Sequence, residues 1–310
     1  GLGDVYKRQI YDRSADDCDD TLKLLEDKYP NLYHTFIPDS ARYISHKKLG
    51  ITMGIKASRH EWLVFTEPNC RPQSNQWLKQ MARNFTPATE IVLGYSNYEK
   101  VPGWLNKKIT FDTLLNSMRY LGMALSGHPY MGTGRNLAYR KTLYYKQKGF
   151  ASHLNLQRGE DDLFINETAH AHNTRVETGS DSLMRIAMPK YKKIWCEEKI
   201  SYAATSQLFK GTARYIMGFE TCSRLLFYAA IIATIVISIL LHQWTTLGIA
   251  ILLWAARFVM QLIVFRKTAQ AFGERKFCAL LPVFDFLQPI WNGVFKLQRK
   301  LRRKNEFMRK

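Results

Sequence analysis

The sequence predicts an α/β fold with a mostly parallel sheet, followed by C-terminal transmembrane helices. Three observations carry that expectation. Over residues 1–220, compact apolar runs that read as strands alternate with stretches of helical spacing. From Leu225 to Trp244 the run LLFYAAIIATIVISILLHQW holds twenty residues without a formally charged side chain. Basic residues cluster around the later apolar stretches, as they do on the cytoplasmic flanks of membrane helices. A larger domain is therefore expected over 1–220 and a membrane domain over 221–310.

Element by element, DDCDDTLKLLEDK (16–28) opens with acids and places Leu22, Leu24 and Leu25 at helical spacing, so a short helix follows. LYHTFIP alternates like a strand up to Pro38, and HKKLGITMGIKAS (46–58) begins a helix with basic residues. EWLVFTE (61–67) is an apolar run closed by an acid, which suits a central strand with a functional C-terminal tip. RPQSNQWLKQMARNF reads as a helix after Pro72, EIVLGYSNYE as a strand, and residues 104–125 as a helix. GEDDLF brings three adjacent carboxyls to the start of a helix over 162–170. Such acids repel one another, so a helix N-terminus, a cation or a nearby Arg must offset them, and the triplet marks a candidate site.

The chain has 310 residues, 46% hydrophobic and 13% aromatic, which is too apolar for disorder. Five scattered cysteines with no C-x-x-C exclude a disulfide framework and a structural zinc site, and suit a reducing compartment. With 45 Lys and Arg against 26 Asp and Glu, the formal charge is +19. Spread over one face, that excess would suit nucleic acid. Instead residues 296–310 hold eight basic residues and one acid, and 266–276 hold four and one, which together supply ten of the nineteen charges. The expected partner is anionic membrane lipid and not nucleic acid.

In the C-terminal region two helices are expected, about 225–244 and 246–265, joined by a turn at Gln243 to Thr245. Arg257 in the second needs a partner or water at membrane depth. The third apolar segment, about 277–295, is interrupted by Pro282, Asp285, Gln288, Pro289 and Asn292. Crossing would put the basic tail 296–310 on the far side, so a re-entrant or interfacial course is expected. At ~1.5 Å per residue, Arg257 and Asp285 sit at similar depths, about 12 Å from the inner helix ends, and are expected to pair. The opening GLGDVYKRQ reads as a truncated leader, so a first strand is expected to be missing.

Four stretches then carry a family resemblance: IYDRSADDCDDTL with its D-x-S-x-D pattern, KKLGITMGIKAS, FTEPNCRPQSNQWL, and GRNLAYRK followed by GEDDLF. In order and spacing the chain resembles membrane-attached bacterial family 2 glycosyltransferases of the glycosyltransferase A fold. The resemblance implies a Rossmann-type sheet, a nucleotide-diphosphate-sugar donor, a glycan or lipid-linked acceptor of the cell envelope, and a catalytic domain facing the cytoplasm at the bacterial inner membrane. It implies Asp161 as the general base of an inverting transfer, with Glu160, Asp162 and Arg135 in support. Asp12 matches the family's nucleoside-contacting acid, and Lys48 or Lys47 its donor-site base; either lysine also reads as a solvated helix-start charge.

The departures from the family pattern are informative. Where the family carries two Asp around a central residue, the second binding Mg2+ or Mn2+, this chain has Glu67-Pro68-Asn69. Asn offers a carbonyl oxygen but no charge, so metal binding by Glu67 and Asn69 is expected to be weak. The Q-x-x-R-W motif of processive members is replaced by KIWCEEKISYAATS, which favours one sugar per encounter. Trp195 and Lys199 are candidates for a place beside the acceptor, with a buried structural Trp as the other reading.

Overall fold

The computed structural model describes residues 5–12, 18–37, 45–277 and 279–302; the side chains of Tyr11, Asp12 and Cys18 lie outside that description. The α/β class expected from the sequence is the observed one. Strand β1 (Lys7–Asp12) pairs in parallel with β2 (Leu32–Ile37), and α1 (Cys18–Lys28) connects them. After α2 (His46–Ala57), β3 (Trp62–Phe65) starts a four-stranded sheet of order β3-β7-β5-β8, with β5 at Ile91–Gly94, β7 at Leu137–Arg140 and β8 at Thr174–Glu177. A three-stranded sheet joins β4 (Cys70–Pro72), β9 (Met184–Ile186) and β6 (Ser96–Tyr98).

The pairings divide evenly. β1/β2, β5/β8 and β6/β9 are parallel, while β3/β7, β5/β7 and β4/β9 are antiparallel. The sheet is mixed because β7 runs against both of its neighbours. EIVLGYSNYE, expected as one strand, is split into β5 and β6 in different sheets. At the break, Asn136 lies so close that a Cβ on Gly94 would stand 2.4 Å from its side-chain amide. Asn136 then donates to the carbonyls of Tyr95 and Ser182, both at 2.9 Å, and ties the two sheets together.

Helices cover the sheets: α3 (Trp77–Ala82), α4 (Trp104–Leu125), α5 (Lys141–Lys146), α6 (Asp162–Thr168) and α7 (Lys192–Thr205). They are followed by α8 (Ala213–Leu240), α9 (Trp244–Ala271) and α10 (Leu281–Leu301). The expected domain boundary at 220 falls inside α8, which starts twelve residues before the uncharged run. One apolar core crosses that boundary: Ile91, Leu93, Phe111 and Phe164 share it with Phe265, Phe272 and Phe284. Tyr95 stacks on Phe272 at 3.9 Å and Phe111 on Phe265 at 5.3 Å. A fully buried aromatic contributes about 1.5–3 kcal/mol, so these rings bind the C-terminal helices firmly to the α/β part.

Among the described residues two helices, α8 and α9, are long and apolar enough to cross a membrane. Each has 28 residues, about 42 Å at ~1.5 Å per residue against a hydrocarbon core of ~30 Å. Leu226, Ile237 and Leu240 on α8, and Ile249, Leu252 and Met260 on α9, are exposed. The turn between them lies at Leu241 to Gln243, slightly earlier than expected, with His242 at φ 55°. Helix α10, the third apolar segment, is not among the helices that pass that test. Its Pro289 withdraws the N–H that would bond the Asp285 carbonyl.

Arg257 pairs with Asp285 at 3.3 Å, as the depth argument expects. The structure adds three further donors to that carboxylate: Arg224 at 3.1 Å, the Tyr228 hydroxyl at 2.7 Å and the Gln261 amide at 2.9 Å. From Arg224 the chain of contacts continues through Gln288 at 2.7 Å to Asp112 at 3.2 Å, and from there to Lys199 at 2.7 Å. A buried polar thread thus links the membrane-length helices to α4 and α7.

Candidate active site

A cavity of about 550 Å³ lies between β1, β3 and α2. β1 pairs only with β2 and β3 only with β7 among the described residues, so an open edge of each strand borders it. Its body is apolar, with Ile10, Leu63, Phe65 and Leu137 on the walls. Its polar end is formed by Lys47, Glu67, Glu160 and Asp161.

The acidic triplet reaches that end through local geometry. Gly159 has φ 107°, where a side chain is strained, and a Cβ there would come within 2.6 Å of Leu163. Asp161 caps α6: its Oδ1 accepts from the Asp162 N–H at 2.8 Å and its Oδ2 from the Gly134 N–H at 2.9 Å. The Tyr202 hydroxyl lies 3.4 Å from the same Oδ2. Asp162 is fully buried and accepts from the Thr205 hydroxyl and, at 2.8 Å, from the Leu163 N–H. Glu160 is buried as well; one oxygen meets Lys47 at 2.8 Å and the other, Oε2, has no partner.

Environment separates the three acids. Burial and the neighbouring Glu160 raise the Asp161 carboxyl above the ordinary carboxylate range. Burial and the adjacent Asp161 push Asp162 up to about 8. Glu160 goes the other way, because the Lys47 ammonium outweighs its burial. Burial would also raise Glu67, but Lys47 at 2.6 Å and Arg135 at 3.0 Å hold it down at about 2. A second contact, at 2.7 Å to Glu198, fixes the Arg135 guanidinium. One region thus holds a carboxyl that binds its proton tightly beside two that stay ionised.

Of the residues singled out in the sequence, Asp161, Glu160, Asp162, Glu67 and Arg135 are brought together. Asp12 closes β1, and its side chain lies outside the described residues. Lys48 is turned away from the cavity: fully buried, its ammonium donates to the carbonyls of His153 at 2.5 Å and Leu156 at 2.9 Å. Lys47 takes the position at the cavity instead. Asn69 is exposed, and its side-chain oxygen accepts from the Cys70 thiol at 3.5 Å. Trp195 is buried, edge-on to Phe295 at 5.5 Å, and Lys199 is held by Asp112, so neither lines the cavity. Sequence reasoning missed Glu198, Tyr202 and Thr205, which stand at i, i+4 and i+7 on α7 and so share one face toward the triplet.

The divalent cation implied by the family resemblance does not fit this donor set. Hard cations want six or more oxygens. Both Glu67 oxygens are taken by cationic side chains, Asn69 is neutral and exposed, and among the described residues no group of three His, Cys, Asp or Glu could hold a metal.

No family model matches the chain, and no curated protein matches it. Solved structures do. The mannosyltransferase PcManGT from Pyrobaculum calidifontis, in complex with GDP-Man and Mn2+, superposes with a TM-score of 0.54 at 14% identity, covering 95% of this chain and 78% of that one. A mycobacterial protein gives a TM-score of 0.39 at 12% identity, covering 66% of this chain and 63% of that one. The first likeness is one of fold: this chain shares the α/β architecture of that mannosyltransferase.

Proposed function

We propose that this chain is a glycosyltransferase that moves a sugar from a nucleotide-diphosphate-sugar donor to an envelope polysaccharide or lipid-linked acceptor. One observation carries the reading. At the polar end of the cavity, a buried Asp161 is fixed by two backbone N–H groups and carries a raised proton affinity, the state a general base requires. Asp161 takes the proton of an acceptor hydroxyl as that oxygen bonds to the anomeric carbon. The bond from that carbon to the phosphate oxygen breaks, the nucleoside diphosphate leaves and the configuration inverts. The Tyr202 hydroxyl and the Gly134 N–H orient the base, and the unpartnered Glu160 oxygen is available to a sugar or acceptor hydroxyl.

The donor enters beside Lys47, Glu67 and Arg135, with Asp12 assigned to its nucleoside. The GDP-Man bound by the mannosyltransferase of shared fold supports a donor of this class. No Q-x-x-R-W motif is present, which supports one sugar per encounter. The exposed apolar faces of α8 and α9 and the basic segments beside them support a multi-pass protein of the bacterial inner membrane, with the α/β part in the cytoplasm and α10 along the interface.

The test uses the full chain in detergent with a panel of nucleotide sugars. Release of nucleoside diphosphate from one donor is expected, and Asp161→Asn should lower its rate by about 10²–10⁴-fold, the usual contribution of a general base. No turnover of any donor, with binding unchanged in Asp161→Asn, would make the chain a membrane-bound sugar-nucleotide or glycan-binding protein instead.

A further inference from the structure

The polar end of the cavity contains a cation of its own. The Lys47 ammonium stands 2.6 Å from a Glu67 oxygen and 2.8 Å from a Glu160 oxygen, bridging two carboxylates that are 93 positions apart in the chain. A bound divalent ion bridges acids in the same way. Arg135 takes the second Glu67 oxygen at 3.0 Å and is itself anchored on Glu198 at 2.7 Å. Glu160, Glu67 and Asp161 all act on Lys47 to keep it charged against its burial.

Charge balance agrees with this arrangement. Five carboxyls gather here, Glu67, Glu160, Asp161, Asp162 and Glu198, and four basic groups act on them, Lys47, Lys48, Arg135 and Arg158. Asp162 keeps its proton to about pH 8 and Asp161 is raised as well, so the ionised carboxyls do not outnumber the basic groups already in place. An added divalent ion would upset that balance and would have to displace the ammonium from between its two carboxylates. A diphosphate needs only to compete with Glu67 for cations already in place.

We propose that this site binds the diphosphate of its donor without a divalent cation, with Lys47, seated between Glu67 and Glu160, in the role a metal ion fills elsewhere and Arg135 beside it. The inference rests on the reading of the chain as a nucleotide-sugar transferase. Lys47 and Arg135 then take up the charge that develops on the departing phosphate oxygen as its bond to the sugar breaks.

Calorimetric titration of the full chain in detergent with UDP, GDP, ADP, CDP and dTDP, in EDTA and in Mn2+, tests this. At least one diphosphate should bind with a Kd that differs less than threefold between the two buffers. Lys47→Gln should weaken binding in EDTA at least tenfold, while Lys47→Arg, which keeps the charge, should restore most of it. Binding tightened tenfold or more by Mn2+, or unchanged in a folded Lys47→Gln, would overturn the inference and leave the transferase reading standing. Binding of no diphosphate in either buffer would overturn both.

Discussion

Asp285 and Asp161 are both buried carboxylates, and their surroundings differ in the one respect that matters. Asp285 has two oxygens and four side-chain donors, two of them guanidinium groups. Asp161 has two backbone N–H groups, a distant tyrosine hydroxyl, and an acid on either side in the chain. The first carboxylate is compensated in excess and joins three helices. The second is compensated in deficit, so its affinity for a proton rises. Buried charge that is fully paired builds structure, whereas charge left short of partners can exchange a proton with a substrate.

The largest expected effect on stability follows from that contrast. Asp285→Ala would strand Arg224 and Arg257 without their common anion, at a cost of about 3–5 kcal/mol, the usual penalty for breaking a buried pair from one side. Asp285→Asn, which keeps two polar atoms, should cost less. Thermal unfolding of the full chain in detergent measures the loss, and donor turnover per folded molecule should stay near that of wild type. Equal melting of Asp285→Ala and wild type would remove the junction from the list of structural elements. A specific loss of turnover at unchanged stability would erase the distinction between the two regions.

Much of this contrast was legible in the sequence, and the rest was hidden for identifiable reasons. Three adjacent acids after a glycine announce a site, because no ordinary helix start needs them. The Arg257–Asp285 pair followed from counting depth along two helices. Arg224 was not foreseen as their partner, because the uncharged run begins at Leu225, one residue beyond it, while the helix begins at Ala213. Lys47 and Lys48 are adjacent, so composition cannot decide between them; the faces of α2 do. Gly50 and Gly54 lie against Ile10 of β1, and Lys47 shares their face at i−3 and i−7. Lys48 shares the other face with Ile55, which belongs to the main core. The helix faces could be sorted from sequence only by knowing that the glycines pack on a strand.

A smaller effect, of opposite sign, should appear within the acidic triplet. A carboxyl raised to about 8 in the folded chain binds a proton that the unfolded chain releases near pH 4, so Asp162 costs stability progressively as pH climbs between those values. Asp162→Asn removes that slope. Its amide oxygen still accepts from the Leu163 N–H, and the Thr205 hydroxyl can turn to accept from the amide nitrogen. Above pH 8 the variant should therefore be more stable than wild type, by on the order of 1–3 kcal/mol. Parallel pH profiles for the two proteins would show that Asp162 is ionised in the fold, and would weaken the case for a proton-rich site.

The smallest effect tests where one region ends and the other begins. Trp195 was a candidate for the acceptor side, yet its ring packs edge-on to Phe295 of α10 with the Lys108 ammonium 5.5 Å from its centroid. Trp195→Phe keeps an aromatic in that space but gives up volume and part of the cation–π attraction, a loss of about 1 kcal/mol. The change falls on stability alone if Trp195 belongs to the packing that ties α7 to α10, and the acceptor KM and kcat should then stay put. An indole that stacked on an acceptor sugar would behave differently: KM would rise several-fold with little change in melting. Because Lys199, one turn further along α7, is held by Asp112 and so joins the thread that ends at Asp285, an unmoved KM would place Trp195 and Lys199 with the junction. Glu198, Tyr202 and Thr205, beside them on the same helix, would remain the residues of α7 that serve the acids.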